Sequence, residues 1–332
     1  MSRGAVLAGL ALAVAVAIAI SLRFGAVGLG WSGVWDGLSG NGDPIAIAIT
    51  RDLRLPRAVL AALVGGALGL AGATFQALLR NPLADPYVLG VSGGAAVGAV
   101  LAIGAGWAGV AGWSVPVSAF AGAALAIALV LRIATNVERR LDVRVLLLSG
   151  VVAGTFFNAC ILLALSFQET ESFRAAVFWM MGGLGGASWQ SVWMLALALG
   201  GASIVLFGLA RSFDLIAHGE ETAGFLGVPV QRVRLLAYLT ASLLTAGAVV
   251  AAGGIGFVGL FVPHTVRLVW GGGHRFLLPA TLLVGAAFLP LADTLARVIT
   301  APAELPLGVI TAFVGVPFFV LVLRRQTRRA PA

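Results

Sequence analysis

The sequence predicts an all-α polytopic membrane protein of about ten transmembrane helices, and three observations predict it. First, 60% of the 332 residues are hydrophobic and only 10% are charged, with a mean hydropathy of +1.04. A soluble domain of that length needs far more charge on its surface. Second, apolar runs of bilayer-spanning length recur along the chain between short polar connections. Third, with both termini in the cytoplasm, about fifteen of the 21 arginines fall on cytoplasmic segments and about six outside, as the positive-inside rule requires. The 45 glycines, many of them four apart, suit helices whose backbones approach closely. The expectation is one transmembrane domain over residues 1–332, with two similar halves.

Arg3, the apolar run Ala5 to Ile20 and Arg23 have the layout of a signal peptide. No small-x-small cleavage site follows and further spans do, so an uncleaved first helix is expected, its N-terminus cytoplasmic. Gly25 to Asp52, with Trp31, Trp35 and Asp43-Pro44, reads as an external connection at the interface. Ala58 to Leu79 is an uncharged run of 22 residues, roughly 33 Å of helix and enough to cross the hydrocarbon. Pro56 suits its first turn, where the missing N–H has no intrahelical partner.

A third span is expected from about Tyr87 to Gly106, then an external turn to Ser114 and a fourth span ending near Arg132. Arg132, Glu138, Arg139, Arg140, Asp142 and Arg144 form a cytoplasmic loop, and Val145 to Phe167 the fifth span. Phe173 to Ser188 is too short to cross and reads as an external surface or re-entrant helix. The sixth span is Trp189 to Leu209 and the seventh Leu235 to Ala252, with the longest polar stretch, Arg211 to Arg234, between them. Gly253 to Leu268, broken by glycines and Pro263, is an incomplete span that must be lined by protein. Phe276 to Val298 and Leu305 to Leu323 complete the count, ending at Arg324, Arg325, Arg328 and Arg329. Leu70-Ala71-Gly72-Ala73 and Thr245-Ala246-Gly247-Ala248 each precede a broken stretch, a short echo of the kind that transporter repeats leave.

Composition also excludes functions. All 21 basic residues are arginine, so the chain has no lysine for a P-loop or for a Schiff base. The net charge of +8 is spread over separate loops rather than gathered in one patch, which argues against nucleic acid. Cys160 is the only cysteine and lies in an apolar run; no intrachain disulfide can form, and a buried thiol is expected. His264 and His274 are scattered among three histidines, too few for a zinc site, so no metal and no other cofactor is expected. Pro263-His264 is expected to shape the end of a broken helix. Asp293 and Glu304 fall at an outer helix end beside Arg297. They are read as a salt-bridged terminus rather than as the coupling acids of an ion-driven carrier.

Several ordered blocks carry a family resemblance. RLPR (Arg54 to Arg57) leads into GLAGATFQALLRNPLADPYVLGVSGGAA, and GFVGLFVPHTVRL (Gly256 to Leu268), LADTLAR (Leu291 to Arg297) and ELPLGVITAFVGVPFF (Glu304 to Phe319) follow. This pattern resembles the FecCD-type permease subunits of bacterial ABC importers for iron siderophores, haem and cobalamin. The resemblance covers nearly the whole chain after about residue 50. It implies a homodimer of permease subunits in the bacterial inner membrane, two separate ATP-binding subunits, a periplasmic substrate-binding protein, and no enzymatic activity in this chain.

It further implies that Arg54, Arg57 and Arg297 receive acidic residues of the binding protein. It also implies that Leu215 to Arg234 holds a pair of short helices seated in the ATPase, with Glu220, Glu221, Ala223, Leu226 and Gly227 in the coupling pattern and Gly227 permitting the turn between the two. His218 stands where the family pattern has an aliphatic residue. The segment FWMMGGLGG resembles cobalamin permeases, and iron-chelate permeases carry similar segments. The competing reading is an ion-coupled secondary transporter that acts alone. A membrane-embedded enzyme is disfavoured, because no HExxH, acidic cluster or nucleophile with a base partner occurs at membrane depth.

Overall fold

The computed structural model of the chain describes residues 2–25, 27–107, 112–137 and 141–327, and it is helical throughout. Glu138, Arg139, Arg140, Arg328 and Arg329, expected on cytoplasmic segments, lie outside the described residues. Helix α1 spans Arg3–Arg23 and is followed by two short helices, α2 (Trp31–Ser39) and α3 (Pro44–Ala48). The external connection is therefore structured. The Arg23 guanidinium lies 5.0 Å from the centre of the Trp31 ring, and Val34 is buried beneath, so an amphipathic turn of helix closes this end of the bundle. A π-helical turn, Ile49–Arg54, runs directly into α4, Leu55–Leu78.

Helix α4 is the hub: 89% of its span is buried in the protein, against 22% for α1. It packs against α9 (Trp189–Gly208), α12 (Val230–Ala252), α13 (Val258–Trp270) and α14 (His274–Val298). Small residues make this possible. A Cβ added at Gly65 would run into the carbonyl oxygen of Gly285 on α14, and one added at Gly285 into that of Gly65. Close approach of this kind is how helices gain van der Waals contact in lipid, where no hydrophobic driving force acts between them.

Helix α4 is followed by a 3-10 turn, Pro86–Leu89, and then by α5, Val91–Gly104. The expected third span is thus a broken one, because 14 residues of helix reach only about 21 Å. The remaining elements are α6 (Ser114–Val137), α7 (Val143–Ser166), α8 (Thr170–Met180), α10 (Ala210–Ala217), α11 (Glu220–Phe225) and α15 (Leu307–Thr327). Among the described residues seven helices are long and apolar enough to cross a membrane, and α5, α13 and the start of α15 are shorter apolar helices. The ten expected segments are all present, and α5, at 14 residues, is short as well as the expected α13, at 13.

The two short helices α5 and α13 begin beside one another. The Ile255 N–H donates to the Tyr87 hydroxyl at 3.0 Å, and a Cβ on Gly259 would meet the Pro86 ring at 2.5 Å. Each half of the chain therefore runs a long helix into a break and then a short helix, and the breaks meet inside the bundle. Non-helical backbone is tolerated there because protein surrounds it. The break before α13 lies at residues 253–257, where Phe257 is left-handed at φ 68°. Pro263 and His264 instead sit in the middle of α13, which corrects their expected place at its end. Cys160, on α7, is only partly buried.

Candidate functional sites: a charged rim and a polar coupling segment

Arg54, Arg57 and Arg297 converge at one end of the bundle. Helix α14 carries Asp293 and Arg297 one turn apart on the same face, and α4 presents Arg57 opposite them. The Arg57 Nη2 donates to Asp293 Oδ1 at 2.8 Å, and its Nε reaches both carboxylate oxygens at 3.1 and 3.2 Å. The outer edge of the same guanidinium holds Glu304 in a two-pronged pair, at 2.9 Å to each oxygen. Arg297 donates from Nε to Asp293 Oδ2 at 3.0 Å and from its remaining nitrogens to Phe24 O and to Ser21 Oγ. Arg54 caps the end of α1, donating to the carbonyls of Leu22, Arg23 and Val27.

The three arginines thus form a closed cluster rather than three free cations. Arg54 is 7% exposed and Arg297 6%, and both spend their donors on the end of α1 and the connection after it. Asp293 is 1% exposed between two guanidinium groups, while Glu304, at 44%, is the open member. The salt-bridged terminus expected for Asp293, Glu304 and Arg297 is present, with Arg57 as its centre. A carboxylate buried between two arginines is held by charge-assisted hydrogen bonds, the strongest polar contacts available to it.

The polar stretch after α9 folds into a pair of short helices, α10 and α11, but the pair sits earlier than the expected Leu215 to Arg234: α10 begins at Ala210, and Val230 to Arg234 already belong to α12. The turn between them falls at Gly219, with φ 126°, and not at Gly227. Gly227, at φ 83°, ends α11 instead, where the Val228 N–H returns to Ala223 O at 2.9 Å. A β-branched residue cannot adopt that φ without strain. Ala223 is fully buried, and Glu221, Leu226 and Gly227 are exposed.

Glu220 turns inward and pairs with Arg234 of α12, whose Nη1 donates to Leu141 O at 3.1 Å. The Leu141 N–H in turn donates to Gln231 Oε1 at 2.9 Å. Glu220 thereby staples α11 to the start of α12 and to the α6–α7 connection. What projects from the segment is apolar: Phe225 is 92% exposed and Leu226 62%. Phe225 was not singled out from the sequence, although an aromatic in the longest polar stretch was the available signal.

Asp85 lies in the connection between α4 and the 3-10 turn and accepts the Tyr87 N–H at 2.8 Å. Elsewhere, a cavity of about 1260 Å³ opens between α6, α8, α9 and α12, lined by Trp113, Phe120, Phe178, Met194 and Gly247 among others, with no charged side chain in its wall among the described residues. Among the described residues no three His, Cys, Asp or Glu side chains come together as a metal site would need.

Comparison with known proteins gives the family and the fold. The FecCD transport family matches residues 11–325. A relative from Bacillus subtilis, the ABC transporter permease protein YvrB, is 43% identical over 300 residues, covering 90% of this chain and 85% of its own length. The cobalamin import system permease protein BtuC of Halobacterium salinarum is 46% identical over 285 residues, covering 86% and 76%. A solved inward-facing conformation of a metal-chelate type ABC transporter superposes with a TM-score of 0.85 at 30% identity, over 97% of this chain and 99% of that one. The chain belongs to the FecCD transport family.

Proposed function

We propose that the chain is the permease subunit of an ABC importer that carries a metal chelate inward, with cobalamin the first candidate and ferric siderophores and haem the others. One observation carries this reading beyond the family match. Two differently built polar sites stand at opposite ends of α14: a charged cluster at Asp293 and Arg297, and the α10–α11 segment packed near His274. The spacing of His274 and Asp293 along that helix is about 29 Å. An importer driven by a separate ATPase needs such a pair, one surface for a binding protein and one for the motor. The bulky apolar tip, Phe225 and Leu226, suits a groove on the motor, because a desolvated aromatic anchor is what dominates small interfaces. Glu221 and Gly227 flank that tip, with Ala223 and Glu220 holding it from behind.

On the opposite side, docking proceeds by exchange. Arg57 already holds Glu304, the exposed acid of the cluster, so a carboxylate of the binding protein takes the place of Glu304 on the outer edge of Arg57. Arg54 and Arg297 fix the shape of that rim from beneath. Two copies of the chain line the path, and ATP hydrolysis belongs to the partner subunits.

A relative whose name carries cobalamin favours that substrate, and the large cavity suits any bulky chelate. The test is uptake into proteoliposomes holding the permease, its ATPase and its binding protein. Uptake of cobalamin, haem or a ferric siderophore that requires ATP and both partners is the expected result. Uptake by the permease alone, driven by a proton or sodium gradient, would overturn the reading in favour of a secondary transporter.

A further inference from the structure

Helix α10 is fastened to the first turn of α14 by a contact that neither the family pattern nor the sequence assigns. The Asp214 Oδ1 accepts the His274 backbone N–H at 2.9 Å and the His274 ring nitrogen Nδ1 at 2.7 Å. His274 is the first residue of α14. The carboxylate therefore caps a 25-residue helix where the backbone N–H groups are unpaired and the helix dipole favours negative charge. Phe213, the neighbour of Asp214, is 3% exposed and meets the His274 ring edge-on at 5.6 Å between centres. Gly273 admits the carboxylate, since a Cβ there would lie 2.8 Å from Asp214 Oδ2.

Helix α10 leads to α11 through a single turn at Gly219, and α14 carries Asp293 and Arg297 of the charged rim. We propose that Asp214 and His274 form a clasp that makes α10 and α14 move as one body, so that displacement of the α11 tip reaches the rim through α14. Asp214 and His274 are positioning residues: neither faces the outside at the tip, and both act through the helix they join. Coupling between distant sites needs an element that both sites bias, and packed helices shift as units rather than bend. The proposal rests on reading the α10–α11 segment as the ATPase contact.

The experiment uses the complete transporter in nanodiscs, with variants Asp214→Ala, His274→Ala, the double variant, Asp214→Asn, and Arg132→Ala as an exposed control on α6, outside both sites. Three readouts are taken: co-purification of the ATPase, basal ATP hydrolysis, and its stimulation by loaded binding protein. Asp214→Ala and His274→Ala are expected to keep the ATPase bound and the basal rate intact while stimulation falls by about fivefold or more. The double variant is expected to add nothing beyond Asp214→Ala, whereas His274→Ala alone keeps the backbone N–H of residue 274 on the carboxylate and is expected to fall short of it. Asp214→Asn, which keeps an oxygen to accept both hydrogen bonds, is expected to retain most of the stimulation, and Arg132→Ala all of it.

Normal stimulation in both single alanine variants, where Gly227→Val abolishes it, would overturn the clasp and leave the coupling segment standing. Normal stimulation in Gly227→Val as well would overturn the coupling reading and the clasp with it. Should either alanine variant fail to assemble, hydrogen exchange over residues 274–278 in Asp214→Asn and wild type decides: equal protection in the presence and absence of the ATPase overturns the clasp, and protection gained on ATPase binding supports it.

Discussion

Replacing Asp293 and Glu304 separately by their amides tests the two layers of the charged rim. Asp293 is 1% exposed and accepts three contacts from Arg57 and one from Arg297, at 2.8 to 3.2 Å. Asn in its place removes the charge shared by two guanidinium groups and turns one acceptor into an N–H₂ that faces donors. Breaking a buried pair by neutralising one partner costs about 3–5 kcal/mol. Glu304 is 44% exposed, and an ion pair open to water contributes only about 0–1 kcal/mol. The expected outcome in unfolding titrations of the purified permease is a large loss for Asp293→Asn and a small one for Glu304→Gln.

Glu304→Gln carries a second consequence, because it frees the outer edge of Arg57 for an incoming carboxylate. Affinity for the binding protein is expected to rise by up to about fivefold, the equivalent of roughly 1 kcal/mol. The gain should shrink with added salt, since charges at a rim are screened. Surface plasmon resonance at two ionic strengths reads this directly. Asp293→Asn within about 1 kcal/mol of wild type would refute the buried-pair argument. Unchanged or weakened binding by Glu304→Gln would refute docking by exchange.

Three further outcomes are expected. Gly69→Ala places a Cβ 2.6 Å from Thr281 O; overpacking of that kind costs about 1–3 kcal/mol, readable as a lower melting temperature in detergent, and an unchanged melt would show that α4 and α14 can part freely. Gly227→Val, at φ 83°, is expected to leave the fold and assembly intact but to remove both uptake and stimulated hydrolysis. Phe225→Ser, at a side chain 92% exposed, should leave the melting temperature within error and weaken co-purification of the ATPase; equal recovery would place the motor elsewhere.

Hydropathy and arginine placement were enough to establish the membrane class, the position of each long span and the ten apolar segments. These quantities report whether a stretch meets lipid or water, which is a local property of the residues. The short helix pair after α9 was legible because it is too polar for lipid, and the positive φ of Gly227 because the residues after it are Val228 and Pro229. The shortness of α5 was not legible, since a segment lined by protein is as apolar as one lined by lipid. Which glycine makes which turn also waited for the fold, because both Gly219 and Gly227 can take a positive φ.

The remaining decisions belong to tertiary structure. Nothing local marks Arg54 as buried, because its partners are the carbonyls of Leu22, Arg23 and Val27, 27 to 32 residues away; Arg297 has Asp293 one turn away, but its other partners at the end of α1, Phe24 and Ser21, lie 273 and 276 residues off. Asp214 and His274 stand 60 apart and Arg57 and Asp293 236 apart. Helical periodicity tells which face of a segment is apolar but not which other helix that face meets, and pairings of this length exist only once the bundle has packed.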